Sequence, residues 1–209
     1  MRDIPLLLLA TTISAHWFSV GVMIVRVKRK ARHAVGIVPQ QRIERLMWLV
    51  WVPLVVAWIA LPWIALQRTD APWGVPSVDS PLYAGLRWVA AFVGIGCLAF
   101  TVRSWIRMGK DWRMDVSLDS KTVLITDGPF RRIRHPIYAF SILLMVCTGI
   151  VLPTWPMLVV AAIQIALYNA KARNEERHLL KSHGEAYARY IERTGRFIPR
   201  FGAGRTQGS

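Results

Sequence analysis

The chain has 209 residues, of which 54% are hydrophobic, and its mean hydropathy is +0.33. It carries 27 Lys and Arg against 12 Asp and Glu, which gives a net charge of +15. This hydrophobicity excludes a disordered chain and argues against a soluble nucleic-acid-binding protein despite the charge. The combination predicts one integral membrane domain whose basic faces meet anionic lipid headgroups.

Three long apolar segments, residues 4–25, 46–67 and 83–102, predict membrane-spanning helices. Each has 20 residues or more, enough to cross a hydrocarbon core of about 30 Å at about 1.5 Å per residue. A signal peptide is the alternative for the first segment, but the apolar run continues past its small residues. Arg87 lies near one end of the third segment, from which it can reach the headgroups.

Two shorter apolar segments follow, residues 137–152 and 155–170. The turn Pro-Thr-Trp-Pro at residues 153–156 joins them, which predicts a tight antiparallel helical hairpin. The sequence therefore predicts an all-α fold with five transmembrane helices, of which the fourth and fifth form the hairpin.

The loop charges predict the orientation of these helices. Lys and Arg number seven in residues 26–45, eight in 103–135 and nine in 171–209, against one in 68–82. By the positive-inside rule, the alternation places the N-terminus outside and the C-terminus on the cytoplasmic side of a bacterial inner membrane.

Few residues suggest metal or thiol chemistry. Cys97 and Cys147 lie in apolar runs, which predicts buried free thiols. His178 and His183 are five residues apart, a poor spacing for two ligands on one helix face, and we expect no metal site. His16, inside the first span, has two interpretations: an interhelical hydrogen bond, or a functional intramembrane residue.

A polar segment precedes the hairpin, with the sequence TVLITDGPFRRIRHPIY at residues 122–138. A short β-prone stretch runs into an Asp-Gly-Pro turn, and an Arg-His-Pro step then begins the fourth span. Pro136 suits the first turn of a helix, so Arg134 and His135 project from a helix N-terminus. Free N–H groups and the helix dipole there favour a carboxylate or phosphate.

A second polar segment follows the hairpin, with the sequence KARNEERHLLKSHGEAYARY at residues 171–190. Lys171 and Glu175 are one helical turn apart and share a face. The hairpin returns Glu175 and Glu176 to the side where the Arg-His pair emerges. Taken singly, the first motif is an ordinary helix start and the two glutamates a solvated face. Their order and spacing around a short hairpin instead predict one interfacial pocket.

These two motifs resemble the isoprenylcysteine carboxyl methyltransferase family, with its bacterial and phospholipid-methyltransferase relatives. The family combines L-V-T-x-G, an aromatic residue and R-H-P-x-Y with a helical hairpin, E-E-x-x-L, a Gly preceded by an aromatic, and Y-x-x-Y. The resemblance covers about residues 105–200. The chain departs from the pattern at Phe130, where Tyr is usual, at His183, where Phe is usual, and at Lys171, where eukaryotic members have a substrate-contacting Arg.

The resemblance implies that S-adenosylmethionine binds in a cytoplasmic pocket capped by the C-terminal segment. It implies these cofactor-binding residues: Thr122, Val123, Leu124, Ile125, Gly128, Phe130, His135, Pro136, Tyr138 and Glu175. Glu175 would take the ammonium group of the cofactor. Independent chemistry agrees, because a zwitterionic amino acid needs a carboxylate for its ammonium and a cation such as Arg134 for its carboxylate.

The implied reaction is methyl transfer to a lipophilic or amphipathic acceptor that enters from the bilayer. A carboxylate acceptor would need only desolvation and orientation by Lys171 or Arg173. An amine, thiol or hydroxyl acceptor would need a base, for which His135 and Glu176 are candidates. The residues predicted to act in catalysis are Arg134, Lys171, Arg173 and Glu176. Phospholipid N-methylation is the alternative activity, and a non-catalytic transporter or assembly subunit is the alternative class.

We expect a single domain over residues 1–209, with three spans in 1–103, a methyltransferase core in 104–200 and a tail in 201–209. Within the core, residues 177–201 are expected to form an amphipathic lid, and a membrane-surface anchor without a part in binding is the alternative. Gly184 interrupts this segment, so both one helix and two short helices are possible. The acceptor chain is expected to lie between spans near Trp105 and Met108, with Arg103, Arg107 and Lys171 at its polar head. Membrane lipids and this acceptor are the expected partners, without nucleic acid.

Overall fold

The computed structural model describes residues 3–30, 42–67, 80–108 and 124–200. These residues are all-helical apart from turns, extended segments and one isolated bridge between Ile133 and Gly195. The α-helices are α1 (Ile4–Lys30), α2 (Arg42–Gln67), α3 (Pro81–Met108), α4 (Pro136–Val151), α5 (Trp155–His183) and α6 (Glu185–Arg193).

Three of these helices are long and apolar enough to cross a membrane: α1 over Ile4–Arg26, α2 over Leu46–Gln67 and α3 throughout. The three long predicted segments are therefore confirmed as apolar helices of spanning length. The hairpin is present as α4, an apolar helix of 16 residues, and α5, whose apolar first half continues without a break to His183. That α4 and α5 both cross the bilayer stays a prediction, as does the orientation.

The apolar core lies where the first five helices meet. Helix α3 packs against α4 and α1, while α2 packs against α1 and α5. A Cβ atom on Gly94 of α3 would lie 2.7 Å from Leu9 Cδ2 and 3.2 Å from Leu144 Cδ1. The glycine therefore allows the close approach of three helices that small residues provide in membrane proteins.

An ion pair joins the helices at the end of the bundle where α4 finishes. Arg87 of α3 is only 4% exposed. It pairs with Asp3, just before α1, and donates to the carbonyl of Val151 at 3.2 Å. The expectation that Arg87 reaches the headgroups is therefore wrong, because Asp3 and the end of α4 satisfy its charge inside the protein.

His16 is buried among tryptophan rings. Its ring centroid lies 5.4 Å from that of Trp17, 6.2 Å from Trp58 and 5.7 Å from Trp105. Its Nδ1 atom has no hydrogen-bond partner among the described residues, so an interhelical bond through that atom is not seen there. Cys97 and Cys147 are buried free thiols, as the apolar runs predicted.

Candidate active site

The first polar segment enters the site as irregular chain followed by a single helical turn. Residues 124–126 are half-buried and have no regular secondary structure, whereas Thr122 and Val123, predicted to contact the cofactor, lie outside the described residues. Gly128 has φ +57°, a left-handed conformation that favours glycine, and begins a 3₁₀ turn over Gly128–Arg131. Phe130 is buried in this turn, and its carbonyl accepts a hydrogen bond from the Tyr190 hydroxyl at 2.6 Å.

Main-chain hydrogen bonds hold the Arg-His pair against the end of the described chain. The N–H of Arg134 donates to the carbonyl of Gly195 at 2.8 Å, and that of His135 to Arg196 at 3.1 Å. Pro136 is the first residue of α4, as predicted. We call residues 194–200 the C-terminal strap, since they follow α6 and lie along the chain that leads into α4.

Helix α5 returns the two glutamates to this place. Glu176 continues a buried face of α5 that includes Tyr168 and Ala172, at intervals of four residues. Glu175 lies beside it, with its side chain 23% exposed. The hairpin therefore brings the Arg-His and Glu-Glu motifs together, which confirms the spatial expectation drawn from their order.

The His135 imidazole lies between the two carboxylates. Its Nδ1 is 3.3 Å from Oε2 of Glu175, and its Nε2 is 3.4 Å from Oε1 of Glu176. The hydroxyl of Tyr138 donates to Oε1 of Glu175 at 2.6 Å. The rings of His135 and Tyr138 are stacked 5.5 Å apart, and Tyr168 stacks on Tyr138 at 5.3 Å. The result is a row of aromatic faces beside a carboxylate.

Glu176 is bound by two guanidinium groups. Nε of Arg134 donates to Oε1 at 3.0 Å. Arg196 donates through Nε at 3.0 Å and 3.1 Å to the two carboxylate oxygens, and through Nη2 to Oε2 at 2.6 Å. Arg134 also donates to the carbonyls of Ile191 and Thr194. Glu176 and Arg134 thus join α5 to the end of α6.

The charges of this cluster support one another. Burial disfavours the charged imidazole, but the nearby carboxylates of Glu175 and Glu176 outweigh it and raise the pKa of His135 above its ordinary value. Burial also opposes ionisation of Glu175, but His135 and the charge of Lys171 lower its pKa. For Glu176, His135, Arg196 and Arg134 together overcome burial and lower the pKa strongly. The cluster therefore favours the charged forms of His135, Glu175 and Glu176.

The remaining predicted residues differ in their positions. Lys171 is half-buried one turn before Glu175, whereas Arg173 is exposed. Arg103 is exposed, and Arg107 forms an ion pair with Asp127. Trp105 is 2% exposed, so it does not line an open groove in this structure. It packs against Val20, Met23, Ile24, Val102, Met108 and Ile137.

The C-terminal segment consists of two helices and not one, with the break at Gly184. Gly184, with φ +52°, ends α5 and precedes α6. Helix α6 buries Tyr187 and Tyr190. Burial and the charge of Glu176 raise the pKa of Tyr187, and burial raises that of Tyr190 to about 12, so both phenols are protonated at neutral pH. That this segment closes the cofactor pocket stays a prediction.

Sequence reasoning missed two residues of the cluster, Arg196 and Asn169. Asn169 accepts a hydrogen bond from Nη1 of Arg196 at 3.2 Å. Arg196 is one of nine cations after residue 170, and no spacing rule relates it to Glu176, because the break at Gly184 lies between them. The single available signal was its position in the segment predicted to be a lid.

Among the described residues, no group of three or more His, Cys, Asp or Glu side chains is arranged to hold a metal ion.

Two curated relatives are 30% identical to the chain. One is the nickel-cobalt-cadmium resistance protein NccN of Alcaligenes xylosoxydans xylosoxydans, over 123 residues, 57% of this chain and 56% of the relative. The other is the cobalt-zinc-cadmium resistance protein CzcN of Cupriavidus metallidurans, over 128 residues, 58% and 57%. The chain thus spans little more than half the length of each.

The family comparison covers the part of the chain that builds the site. Residues 87–186 match the model of the phospholipid methyltransferase family. The match begins in α3, includes the first motif, α4 and α5, and ends just inside α6, so it contains the second motif as far as residue 186. This part of the chain, a little under half of its length, is therefore similar to the phospholipid methyltransferase family.

Proposed function

We propose that this protein transfers a methyl group from S-adenosylmethionine to a lipophilic acceptor at the membrane surface. The observation that carries the proposal is the ionised, largely buried carboxylate of Glu175 at the point where α4 begins. It lies beside a row of aromatic rings, within the segment that matches a methyltransferase family. No other described part of the chain combines these features.

The residues present fit the proposed cofactor. Glu175 keeps its charge because His135 and Lys171 lower its pKa, so it is suited to bind an ammonium group by a charge-assisted hydrogen bond. Tyr138 fixes the rotamer of Glu175 through its 2.6 Å bond. The half-buried chain at Leu124 and Ile125, with Gly128 and buried Phe130 after it, is proposed to receive the adenosine. Pro136, at the start of α4, is proposed to lie against it.

The protonation states favour one class of acceptor. His135 carries a raised pKa and Glu176 is bound by two arginines, so neither is a ready base at neutral pH. A carboxylate is already nucleophilic and needs no base. When bound, S-adenosylmethionine supplies an activated methyl group, which a carboxylate oxygen accepts as the sulfur leaves as a neutral thioether. We therefore favour a lipophilic carboxylic acid.

The cations of α5 are proposed to orient such an acceptor. Lys171 is half-buried and one turn from Glu175, so it is the stronger candidate to bind the acceptor carboxylate. Arg173 is exposed and is suited to hold its outer edge. Arg134 holds Glu176 and the end of α6, which makes its proposed role the geometry of the site. The protein's contribution is then to align the two reactants and to exclude water.

The first experiment measures binding of S-adenosylhomocysteine to the detergent-purified protein by calorimetry and thermal shift. Binding with a rise in the unfolding temperature supports the proposal. The absence of both at saturating concentration would favour the non-catalytic alternative, which the two relatives motivate because both are named as metal resistance proteins.

A second experiment identifies the acceptor class. Labelled methyl transfer is compared for saturated fatty acids of increasing length, prenylated cysteine analogues and phosphatidylethanolamine vesicles. If the acceptor chain enters from the bilayer, apparent affinity rises about fourfold per methylene until the groove is filled, since each buried CH₂ contributes about 0.8 kcal/mol. A KM independent of chain length would contradict the lateral route.

Phospholipid N-methylation is the second candidate, and the description of the matching family favours it. It predicts label in the ethanolamine headgroup, and activity that rises with pH as the amine loses its proton. Label in the carboxylic acids alone, with a flat dependence above neutral pH, would exclude it.

A further inference from the structure

The C-terminal strap contributes a side chain to the cluster that neither the motifs nor the family match includes. Arg196 lies ten residues beyond the end of the matched segment. Its main chain binds His135 and its guanidinium binds both oxygens of Glu176. It therefore contacts the first motif with its backbone and the second with its side chain.

Arg196 binds the carboxylate of Glu176 in a bidentate arrangement. Nε and Nη2 of Arg196 reach the two carboxylate oxygens of Glu176, the side-by-side arrangement that gives arginine its orientational specificity. Nη1 points the other way and donates to Asn169, almost two turns earlier on α5. With both ends of the guanidinium attached to α5, the plane of the Glu176 carboxylate has little freedom to rotate.

His135 lies between Glu176 and Glu175, so the position of one carboxylate affects the surroundings of the other through the imidazole. Oε1 of Glu176 lies 3.4 Å from one nitrogen of His135, and Oε2 of Glu175 lies 3.3 Å from the other. Nε2 of His135 makes no hydrogen bond among the described residues, so Glu176 acts on the ring through the proximity of its charge. A rotated Glu176 would move that charge away and leave the imidazole free to turn from Glu175. Since His135 is 8% exposed, no bulk water compensates for a misplaced ring.

We propose that Arg196 is a positioning residue, which fixes Glu176 and through His135 sets the geometry in which Glu175 binds the cofactor. This inference rests on the proposed function. Arg196 acts through Glu176 and is not itself placed against the reactants. In the same way, the C-terminal strap is part of the cofactor site and not simply a membrane-surface anchor.

The test compares Arg196→Gln and Arg196→Lys with Arg200→Gln in the full-length protein. Arg200 lies on the same strap, is exposed, and donates to the carbonyl of Glu192 without reaching the cluster. Affinity for S-adenosylhomocysteine is measured by calorimetry, alongside the unfolding temperature. We expect Arg196→Gln to weaken binding about tenfold, the loss of one charge-assisted contact, Arg196→Lys to restore part of it, and Arg200→Gln to bind like the wild type.

A second readout separates positioning from simple anchoring of the strap. The titration of His135 is followed by NMR in the absence of ligand. The charged and titratable groups around the cluster are Glu175, Glu176 and Lys171 of α5, Tyr138 of α4, Tyr187 of α6, Arg134 and Arg196. Removing one cation while the strap stays paired leaves the pKa of His135 at least as high as in the wild type. Detachment of the strap instead lets water separate and screen the two carboxylates from the ring, so that the pKa falls toward its ordinary 6.5.

Weaker binding with a His135 pKa that is unchanged or higher supports the proposal. Wild-type affinity in Arg196→Gln would overturn it while the proposed function stands, as would equal losses in the Arg196 and Arg200 variants. A fall in affinity together with a fall in the His135 pKa would also overturn it, because the strap would then act by attachment alone. Failure of the wild type to bind S-adenosylhomocysteine would overturn the proposed function and this inference together.

Discussion

The bundle of α1–α3 and the cluster around His135 are held together by different forces. In the three long helices the contacts are apolar and aromatic, and the buried charge pair Arg87–Asp3 is at one end. In the cluster, largely buried ionised groups bind one another across 20 to 42 residues of sequence. Packing distributes stability over many side chains, whereas the cluster depends on a few groups that cannot lose a partner without leaving a buried charge.

The largest effect is expected from removing the lid. Truncation after Arg177 deletes α6 and the strap, and with them Arg196 and the carbonyls that bind Arg134. We expect loss of S-adenosylhomocysteine binding with membrane insertion retained, because α1–α3 and the apolar part of the hairpin are untouched. Truncation after Arg200 is the control and should bind normally. Normal binding by the shorter protein would show that the segment is only an anchor.

Glu176→Gln tests the dependence of the cluster on a single carboxylate. Removing this charge leaves Arg134 and Arg196 without their shared partner. Loss of one member of a buried ion pair costs about 3–5 kcal/mol, so we expect a large fall in unfolding temperature in detergent. Glu185→Gln removes an exposed carboxylate that pairs with Arg189 and should leave unfolding unchanged. Equal stability of the two variants would contradict the comparison drawn above.

Glu175→Gln separates binding from folding within the same cluster. The glutamine can still accept from Tyr138, so we expect the fold to persist. Loss of a charge-assisted bond to the ammonium group should cost about 1.5–3 kcal/mol, roughly ten- to a hundredfold in affinity for S-adenosylhomocysteine. Calorimetry gives the affinity and circular dichroism checks the helices. An unchanged affinity would argue against Glu175 as the ammonium ligand.

The pH dependence of stability distinguishes the two regions without mutation. Because the folded pKa of His135 is raised, its stabilisation is complete below the ordinary value of 6.5 and is lost as pH rises through the folded pKa. Because the folded pKa of Glu175 is lowered, its stabilisation is complete above the ordinary 4.5 and is lost as pH falls. Thermal unfolding should therefore show maximal stability between about pH 4.5 and 6.5, and His135→Gln should remove the alkaline loss. If the variant still loses stability as the pH rises, that loss belongs to a group other than His135.

The smallest effect is expected in the apolar bundle. Gly94→Ala places a methyl group 2.7 Å from a terminal methyl of Leu9, a side chain that can move, so we expect a loss of about 1 kcal/mol. Gly96→Ala on the same helix meets nothing within 4 Å and should be neutral or stabilising by helix propensity. Unfolding temperatures in detergent provide the measurement. A loss in the Gly94 variant as large as that in Glu176→Gln would remove the distinction between the two regions.

Much of the fold was predictable because its signals are local. Long apolar runs predicted α1, α2 and α3, and Pro136 and the Pro-Thr-Trp-Pro turn predicted the limits of α4. The Arg87 expectation failed for a physical reason: a charge near a span end has two ways to be satisfied, and only packing shows that Asp3 lies within reach.

The candidate site was predictable in part. A short hairpin returns the chain to its starting side, so the meeting of Arg134 and His135 with Glu175 and Glu176 followed from order and spacing alone. Which of these side chains bind one another did not follow from order and spacing. Sequence could not show that Arg134 binds Glu176, or that the imidazole lies between both carboxylates.

The sequence by itself determined the apolar helices, the hairpin and the two motifs that face each other across it, because each depends on residues close together in the chain. The tertiary structure alone decided the contacts of Arg196, since the break at Gly184 and the turn after α6 set the direction of the C-terminal strap. It likewise decided the ionisation of the cluster, because a pKa depends on which charges meet in space and on how little water reaches them.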